Sequence, residues 1–217
     1  MIQDIGNNIF TEDFISQRLS KAVTIPQEEA YPSELLSDAP KPAAVLIPLL
    51  KKGNPKQKNQ IWHVLLTRRS DSLIEHRGQV AFPGGRSDKD DPSPEATALR
   101  EAQEEIGVKP EDVRILGRLE SLLTISNYSV TPVVGVIPWP YNFKIDPHEV
   151  SKVFSIPLDW LADSNNHEVR QREIPSPYSQ ILKSNKHPVI YFNSFSGEIL
   201  WGVSAEITLR LIRTLYA

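Results

Sequence analysis

The order of apolar and polar residues along the chain predicts a mixed α and β protein with one prominent helix near its middle. Apolar or alternating stretches typical of β-strands occur at 43–50, 61–67, 80–82, 113–116, 118–123 and 128–137. Apolar residues spaced three and four positions apart predict helices over 94–106 and 204–215, and 157–161 is typical of a short helix or turn. Residues 189–193 and 198–201 flank Ser-Phe-Ser-Gly, which predicts a hairpin.

The first 42 residues are predicted to form an N-terminal arm, followed by one domain over 43–217. Thr11 is placed to cap a short helix that runs through Leu19. Four prolines between 26 and 42 predict an extended tether after this helix.

Composition and net charge argue against several classes of binding partner and metal site. The chain of 217 residues has a net charge of −3, which argues against a nucleic-acid partner bound through bulk charge. It has no cysteine, so disulfides and thiolate metal sites are excluded. No run reaches the ~18 apolar residues of a membrane span, and the first residues lack the pattern of a signal peptide. We therefore expect a cytoplasmic protein with no membrane partner.

The helix predicted over 94–106 has clear boundaries in the sequence. Ser93 is a favourable N-cap, Pro94 suits the first helical position, and Gly107 suits the left-handed residue that ends a helix. The apolar positions fall on one face, which we expect to pack against a sheet: Ala98, Leu99, Ala102 and Ile106.

The opposite face carries Glu101, Glu104 and Glu105, which fall within an arc of about 100°. All three lie in the last turns, where the negative end of the helix dipole disfavours anions. A glutamate-rich helix face by itself is typically just solvated. A bound divalent cation would reverse the penalty, because carboxylate oxygens suit Mg²⁺ or Mn²⁺.

The residues before this helix favour the metal-site interpretation. The strand at 80–82 ends in Pro83-Gly84-Gly85, and glycines let the backbone approach a ligand closely. An acidic loop, Asp88-Lys89-Asp90-Asp91, connects the glycines to the helix. A glycine turn, an acidic loop and a carboxylate helix together predict a site for a metal ion and a polyphosphate.

These residues resemble the Nudix box, G-x5-E-x7-R-E-U-x-E-E-x-G-U, where U is apolar. The stretch from Arg100 to Val108 matches the second half at every specified position. The first half departs, since Pro92 stands where the box has its first glutamate and the spacing from Gly85 is one residue longer. Aspartates lie close to that position, at 88, 90 and 91.

Two further segments are similar to the coenzyme A pyrophosphatase subfamily. Leu65-Leu66-Thr67-Arg68-Arg69-Ser70 resembles its L-L-T-x-R-S motif, and the segment from Gly78 to Gly85 resembles its G-x-V-x-F-P-G-G motif. One departure is Ile74, which stands where this signature usually has arginine.

The resemblance implies an α/β/α sandwich around a central mixed β-sheet, with the box as a loop–helix–loop. It implies a Nudix diphosphatase, a pyrophosphohydrolase acting on acid anhydrides, that uses Mg²⁺ or Mn²⁺. The substrate it implies is coenzyme A or an acyl derivative, cleaved to 3′,5′-ADP and (acyl-)4′-phosphopantetheine. The implied metal ligands are Glu101, Glu104, Glu105 and the carbonyl of Gly84.

The remaining site residues follow from the same resemblance. Arg100 is expected to orient a box glutamate, and the proton acceptor is a box glutamate or Glu149 from a later loop. Arg69 and Ser70 are expected to bind substrate, with Arg68 and Arg77 close by.

Several alternatives stay open at this stage. Ile74 favours a different nucleoside diphosphate derivative, such as ADP-ribose, as the substrate. A Nudix-fold binding or regulatory protein without turnover is a further alternative, although the complete glutamate triplet speaks against it. The expected partner is a nucleotide-like small molecule, and a homodimer is possible.

Overall fold

The computed structural model describes residues 10–22, 39–54, 60–72, 76–174, 176, 179 and 185–216. The helices are α1 Glu12–Ala22, α2 Pro94–Ile106, α3 Leu158–Ala162 and α4 Gly202–Tyr216. The strands are β1 Lys41–Lys52, β2 Ile61–Arg69, β3 Val80–Ala81, β4 Gly84–Arg86, β5 Arg114–Arg118, β6 Leu122–Leu123, β7 Tyr128–Val136, β8 Val150–Pro157, β9 His167–Glu173 and β10 Lys186–Phe192.

The main sheet is mixed. Its central order is β3-β2-β1-β7-β5, while β4 pairs with β1, β6 with β7 and β8 with β2. β1 and β7 run parallel, from the pair Lys41 and Tyr128 to the pair Leu49 and Val136, and the other pairs are antiparallel. β9 and β10 form a separate antiparallel pair.

Helices cover both faces of the main sheet. Because side chains alternate along a strand, Leu46 and Leu65 point to one face and pack with α2, whose Ala98 and Ala102 are fully buried there. The other face packs with α1 and α4. The three layers confirm the α/β/α sandwich around a mixed sheet that the resemblance implied.

The predicted N-terminal helix is present as α1 and packs on this second face. Its N-cap is Thr11, whose Oγ1 accepts a hydrogen bond from the Phe14 N–H at 3.1 Å. Ile15 and Leu19 are buried in the core shared with α4, and the helix continues to Ala22. Most of the predicted tether lies outside the described residues.

Three strands, β4, β8 and β9, escaped the sequence analysis, and β4 lies where a glycine turn was predicted. Nearly every residue of β9 is exposed, so no apolar pattern marks this strand. β10 pairs with β9, and the predicted hairpin of 189–193 with 198–201 is present in a reduced form, in which the Phe192 N–H donates to the Leu200 carbonyl at 2.8 Å. Residues 195–201 make only isolated bridges, one of them between Tyr191 and Trp201. β8 was also missed, although it pairs with β2 along most of its length.

Across the described parts of the chain, no helix combines the length and apolar character needed to span a membrane.

Candidate active site

The ends of α2 form as its sequence predicts. The Ser93 Oγ accepts the Ala96 N–H at 3.3 Å, Pro94 occupies the first turn, and Gly107 is left-handed with φ 69°. The carboxylate-bearing end of the helix is therefore held in a defined position.

The two glycines allow three elements to meet closely at this helix. Gly84 has φ 155°, and a Cβ there would lie 2.4 Å from the carbonyl oxygen of Ala44 in β1. A Cβ on Gly85 would lie 2.5 Å from a carboxylate oxygen of Glu101. Any larger side chain would push β4 away from β1 or from α2, so the pair of glycines brings the backbone of β4 next to the glutamates.

The three box glutamates occupy different environments. The side chain of Glu104 is 57% exposed and that of Glu101 is 16% exposed, while Glu105 as a residue is only 3% exposed. Burial is the main reason why the pKa of Glu105 rises to about 8, and the charges of Glu149 and Glu101 act in the same direction. Arg69 and a backbone hydrogen bond from Gly84 oppose that rise.

Glu149 joins this carboxylate cluster from a distant part of the chain. Its charge contributes to a raised pKa at both Glu105 and Glu101, after the larger effect of burial. Arg100 and Glu104 also act on Glu101, the first lowering and the second raising its pKa. The structure therefore brings together Glu101, Glu105 and Glu149.

Arg100 binds two of the predicted metal ligands. Its Nη1 donates to Glu101 at 2.9 Å and to Glu104 at 3.1 Å. Its Nη2 donates to the Arg86 carbonyl at 3.0 Å and, with Nε, to Asp91. The pKa of Arg100 is raised, first by the Asp91 hydrogen bonds, so the guanidinium remains charged. Through these contacts Arg100 orients the side chains of Glu101 and Glu104.

Asp91 is the aspartate of the acidic loop that Arg100 holds most closely. Its Oδ2 also accepts the Thr97 hydroxyl at 2.9 Å and the Asp88 N–H at 2.9 Å. The Arg100 hydrogen bond is the largest reason why the pKa of Asp91 falls to about 2. The side chain of Asp88 is 3.9 Å from Arg100, and Asp90 is exposed.

The two adjacent arginines at the end of β2 make different contacts. Arg68 makes two hydrogen bonds of 3.1 Å to Asp71 and lies 3.7 Å from Glu198. The charge of Arg69 instead acts on Glu105, and its buried Nε has no hydrogen-bond partner among the described residues. In the described parts of the chain, it is therefore the charge of Arg69, and not that of Arg68, that acts on Glu105.

The other two predicted substrate-binding residues, Ser70 and Arg77, lie in different environments. Ser70 is buried, its N–H donates to the Glu149 carbonyl at 2.8 Å, and its Oγ lies 2.8 Å from that of Ser72. Arg77 is exposed in the turn before β3. Ile74, the departure from the signature, lies outside the described residues.

The chemistry of this donor set fits a divalent cation. The crowded carboxylates disfavour each other's charge, a penalty that a hard cation removes. In the ranges that the structure describes, no three acidic or histidine side chains already converge as tightly as metal ligands do. Arg100 donates to one carboxylate oxygen of Glu101 and to one of Glu104, so the second oxygen of each remains for a metal ion.

The sequence analysis did not single out Asp146. Its N–H donates to the carbonyl of Glu105 at 2.9 Å, and its own carbonyl accepts the N–H groups of Glu149 and Val150. The signal in the sequence was the pair Asp146-Pro147, which is typical of a turn.

Comparisons of the sequence with known proteins point to one family. A family model described as the NUDIX domain matches residues 40–177. A protein from Photorhabdus laumondii named "Uncharacterized Nudix hydrolase NudL" is 38% identical over 181 residues, covering 83% of this chain and 88% of the relative. A protein of the same name from Yersinia pestis is 34% identical over 209 residues, covering 94% of this chain and 96% of the relative.

One solved structure adds similarity of fold. A MutT/nudix family protein from Enterococcus faecalis matches with a TM-score of 0.50 and 16% sequence identity. The match covers 98% of this chain and 76% of that protein.

Proposed function

The chain belongs to the Nudix hydrolase family, and on this premise we propose that it hydrolyses the diphosphate bond of coenzyme A or its acyl derivatives. The products are 3′,5′-ADP and (acyl-)4′-phosphopantetheine. Family membership makes the protein a diphosphatase acting on a nucleoside diphosphate derivative. The choice of coenzyme A goes further and is supported by the segments Leu65–Ser70 and Gly78–Gly85.

The observation that carries this proposal is the position of Arg69. Its buried Nε has no hydrogen-bond partner among the described residues, although its charge reaches Glu105. A half-buried arginine with an unpartnered Nε has a donor available for an anion such as a phosphate group. Arg69 also belongs to the segment that resembles the coenzyme A pyrophosphatases. The positive charge of Arg69 thus lies near the carboxylate cluster, where it can bind the diphosphate of the substrate.

The protein residues then have distinct roles. Glu101, Glu104, Glu105 and the carbonyl of Gly84 would hold Mg²⁺ or Mn²⁺. Such a cation would supply acidification of a water molecule and stabilisation of charge on the leaving phosphate. Arg100 keeps Glu101 and Glu104 oriented, because its own position is set by Asp91.

We assign proton transfer from the attacking water to Glu149. It belongs to the carboxylate cluster, it is less buried than Glu105, and Arg100 makes no hydrogen bond to it in the described residues. A box glutamate is the alternative acceptor. Replacing Glu149 by glutamine distinguishes the two, since only the first assignment predicts a large loss of kcat.

ADP-ribose is the second candidate substrate. The observation that favours it is Ile74, which removes a cation that the coenzyme A signature usually supplies. An enzyme that lacks this cation has one contact fewer for the 3′-phosphate of coenzyme A, which is the third phosphate group of that substrate.

A substrate panel tests the proposal. Coenzyme A, acyl-CoAs, ADP-ribose and nucleotide sugars are each supplied with Mg²⁺ or Mn²⁺, and products are identified by mass spectrometry. We expect the highest kcat/KM for coenzyme A or an acyl-CoA, with 3′,5′-ADP as a product. Equal or faster turnover of ADP-ribose contradicts the coenzyme A assignment while leaving the diphosphatase assignment in place.

A matched pair of variants on α2 tests the site. Glu105→Gln should lower kcat by about 100-fold or more, the scale for removing a principal charge-stabilising group. Glu95→Gln changes a glutamate in the first turn of the same helix, where it pairs with Arg118 at 3.6 Å, and should keep wild-type activity. Wild-type metal-dependent rates in Glu105→Gln would show that the box is not the catalytic site.

A further inference from the structure

The turn that precedes Glu149 is attached to the end of α2. The Asp146 N–H donates to the Glu105 carbonyl at 2.9 Å, and the Lys144 N–H donates to the Ile106 carbonyl at 3.0 Å. These carbonyls belong to the last turn of the helix, where backbone acceptors have no partner within the helix itself. The turn is therefore fixed by backbone hydrogen bonds to the end of α2 that carries Glu105, the most buried of the three box glutamates.

The same turn is attached to β2 on its other side. The Glu149 carbonyl accepts the Ser70 N–H at 2.8 Å, and Val150 lies opposite Arg69 in the pairing of β8 with β2. Glu149 is thus held between the helix that bears Glu105 and the strand that bears Arg69.

Asp146 organises the inside of this turn. Its Oδ1 accepts the His148 N–H at 2.9 Å, the geometry of an Asx turn. Its carbonyl accepts the Glu149 N–H at 3.1 Å and the Val150 N–H at 2.8 Å. Without the side-chain acceptor, the turn keeps only its backbone hydrogen bonds, and Glu149 gains freedom to move.

We propose that Asp146 is a positioning residue whose carboxylate fixes the turn that places Glu149 between Glu105 and Arg69. This inference rests on the proposed function, in which Glu149 accepts a proton. Asp146 acts through one acceptor oxygen rather than through its charge. Asparagine offers the same acceptor at the same place, so Asp146→Asn is the matched control for Asp146→Ala.

Steady-state kinetics with the best substrate of the panel tests the proposal. Asp146→Ala should lower kcat about 10-fold with KM changed less than about twofold, since misplacing a catalytic group by about 1 Å costs up to 10²-fold. Asp146→Asn should retain at least about half of the wild-type kcat, because the turn hydrogen bond is kept. If Asp146→Asn is as impaired as Asp146→Ala, or if Asp146→Ala is fully active, the proposal is wrong.

A double-mutant cycle shows whether Asp146 acts through Glu149. In a Glu149→Gln background, Asp146→Ala should lower kcat less than about twofold, because the group that it positions has already been removed. An equal loss in both backgrounds would mean that Asp146 acts by another route. A fully active Glu149→Gln variant would overturn the inference and leave the diphosphatase assignment intact.

Hydrogen exchange gives a readout that is independent of activity. The amides of His148, Glu149 and Val150 should exchange faster in Asp146→Ala than in the wild type or Asp146→Asn, while the amides of α2 keep their protection. Unchanged exchange in Asp146→Ala contradicts the proposal even if no substrate is found. Should Asp146→Ala fail to fold, Asp146→Ser, with a shorter acceptor, should show intermediate exchange and kcat.

Discussion

Arg100 and Asp91 form an ion pair through two hydrogen bonds, from Nε to Oδ1 at 3.2 Å and from Nη2 to Oδ2 at 3.0 Å. This pair fastens the acidic loop to α2. It leaves the Nη1 of Arg100 free to donate to Glu101 and Glu104. The loop is one residue longer than the Nudix box prescribes, and Asp91 gives Arg100 its anionic partner within that longer loop.

Asp91→Asn should destabilise the protein, because it replaces a charge-assisted pair by weaker neutral hydrogen bonds. We expect a loss of about 1.5–3 kcal/mol in the free energy of unfolding at pH 7, measured by urea denaturation. Asp90→Asn in the same loop is the control, since Asp90 is exposed and should change stability by less than about 0.5 kcal/mol. Equal effects of the two substitutions would contradict the role of the Arg100 pair.

The same pair predicts a pH dependence at the acid end. Arg100 holds the pKa of Asp91 at about 2, below its ordinary value of 3.8. A carboxylate with a lowered pKa stabilises the fold above its unfolded pKa and loses this contribution as pH falls through the folded value. The stability difference between wild type and Asp91→Asn should therefore shrink between about pH 4 and 2. A difference that stays constant over this range would show that the charge of Asp91 is not responsible.

Arg69→Met and Arg68→Met should affect catalysis very differently although the residues are adjacent. Arg69 lies at the carboxylate cluster without a hydrogen-bond partner for its Nε among the described residues, so its loss should raise KM about 10-fold or more. Arg68 is bound to Asp71, and its loss should change KM by less than about twofold. Steady-state kinetics with the preferred substrate measures both, and equal increases in KM would place both arginines at the substrate.

Ile15→Ala should show that α1 is part of the core. Ile15 is fully buried against the layer that contains α4, so the cavity left by its truncation should cost about 2–5 kcal/mol in the free energy of unfolding. Gln17→Ala on the exposed side of the same helix is the control and should change it by less than about 0.5 kcal/mol. Denaturation of both variants by urea tests this, and a stable Ile15→Ala variant would mean that α1 is dispensable to the core.

His63 predicts a second pH effect, at mildly acidic pH. Burial, and after it the charge of Lys52, lowers the pKa of His63 to about 4 from 6.5. Between these values the unfolded chain binds a proton that the folded chain does not, so stability falls as pH drops from about 6.5 to 4. His63→Gln should remove this part of the pH dependence, as measured by thermal unfolding between pH 7.5 and 4.5. An unchanged slope in the variant would contradict it.

Local features account for what was predictable at the site. Ser93, Pro94 and Gly107 act on their own helix, so the limits of α2 could be read directly from the sequence. The arc of Glu101, Glu104 and Glu105 follows from helical geometry alone. The β9 strand gave no such signal, because a strand exposed on both faces carries no apolar alternation.

Contacts between distant segments decided the rest. The sequence places three aspartates in one loop, and packing of that loop on α2 selects Asp91 as the main partner of Arg100. Likewise, the motif distinguishes Arg69 from Arg68 but does not say what each contacts, and the fold pairs Arg68 with Glu198 while the charge of Arg69 acts on Glu105.

The sequence by itself determined the helix that presents the glutamates, because periodicity and capping act within a short segment. Its motifs indicated the family, and the resemblance implied the sandwich of helices around a mixed sheet. The resemblance named Glu149 and Arg69 as site residues, and the tertiary structure added that their charges act on Glu105 and that Asp146 links the turn of Glu149 to the end of α2. This arrangement depends on hydrogen bonds between backbone groups far apart in the chain, and such groups are chemically identical at every position.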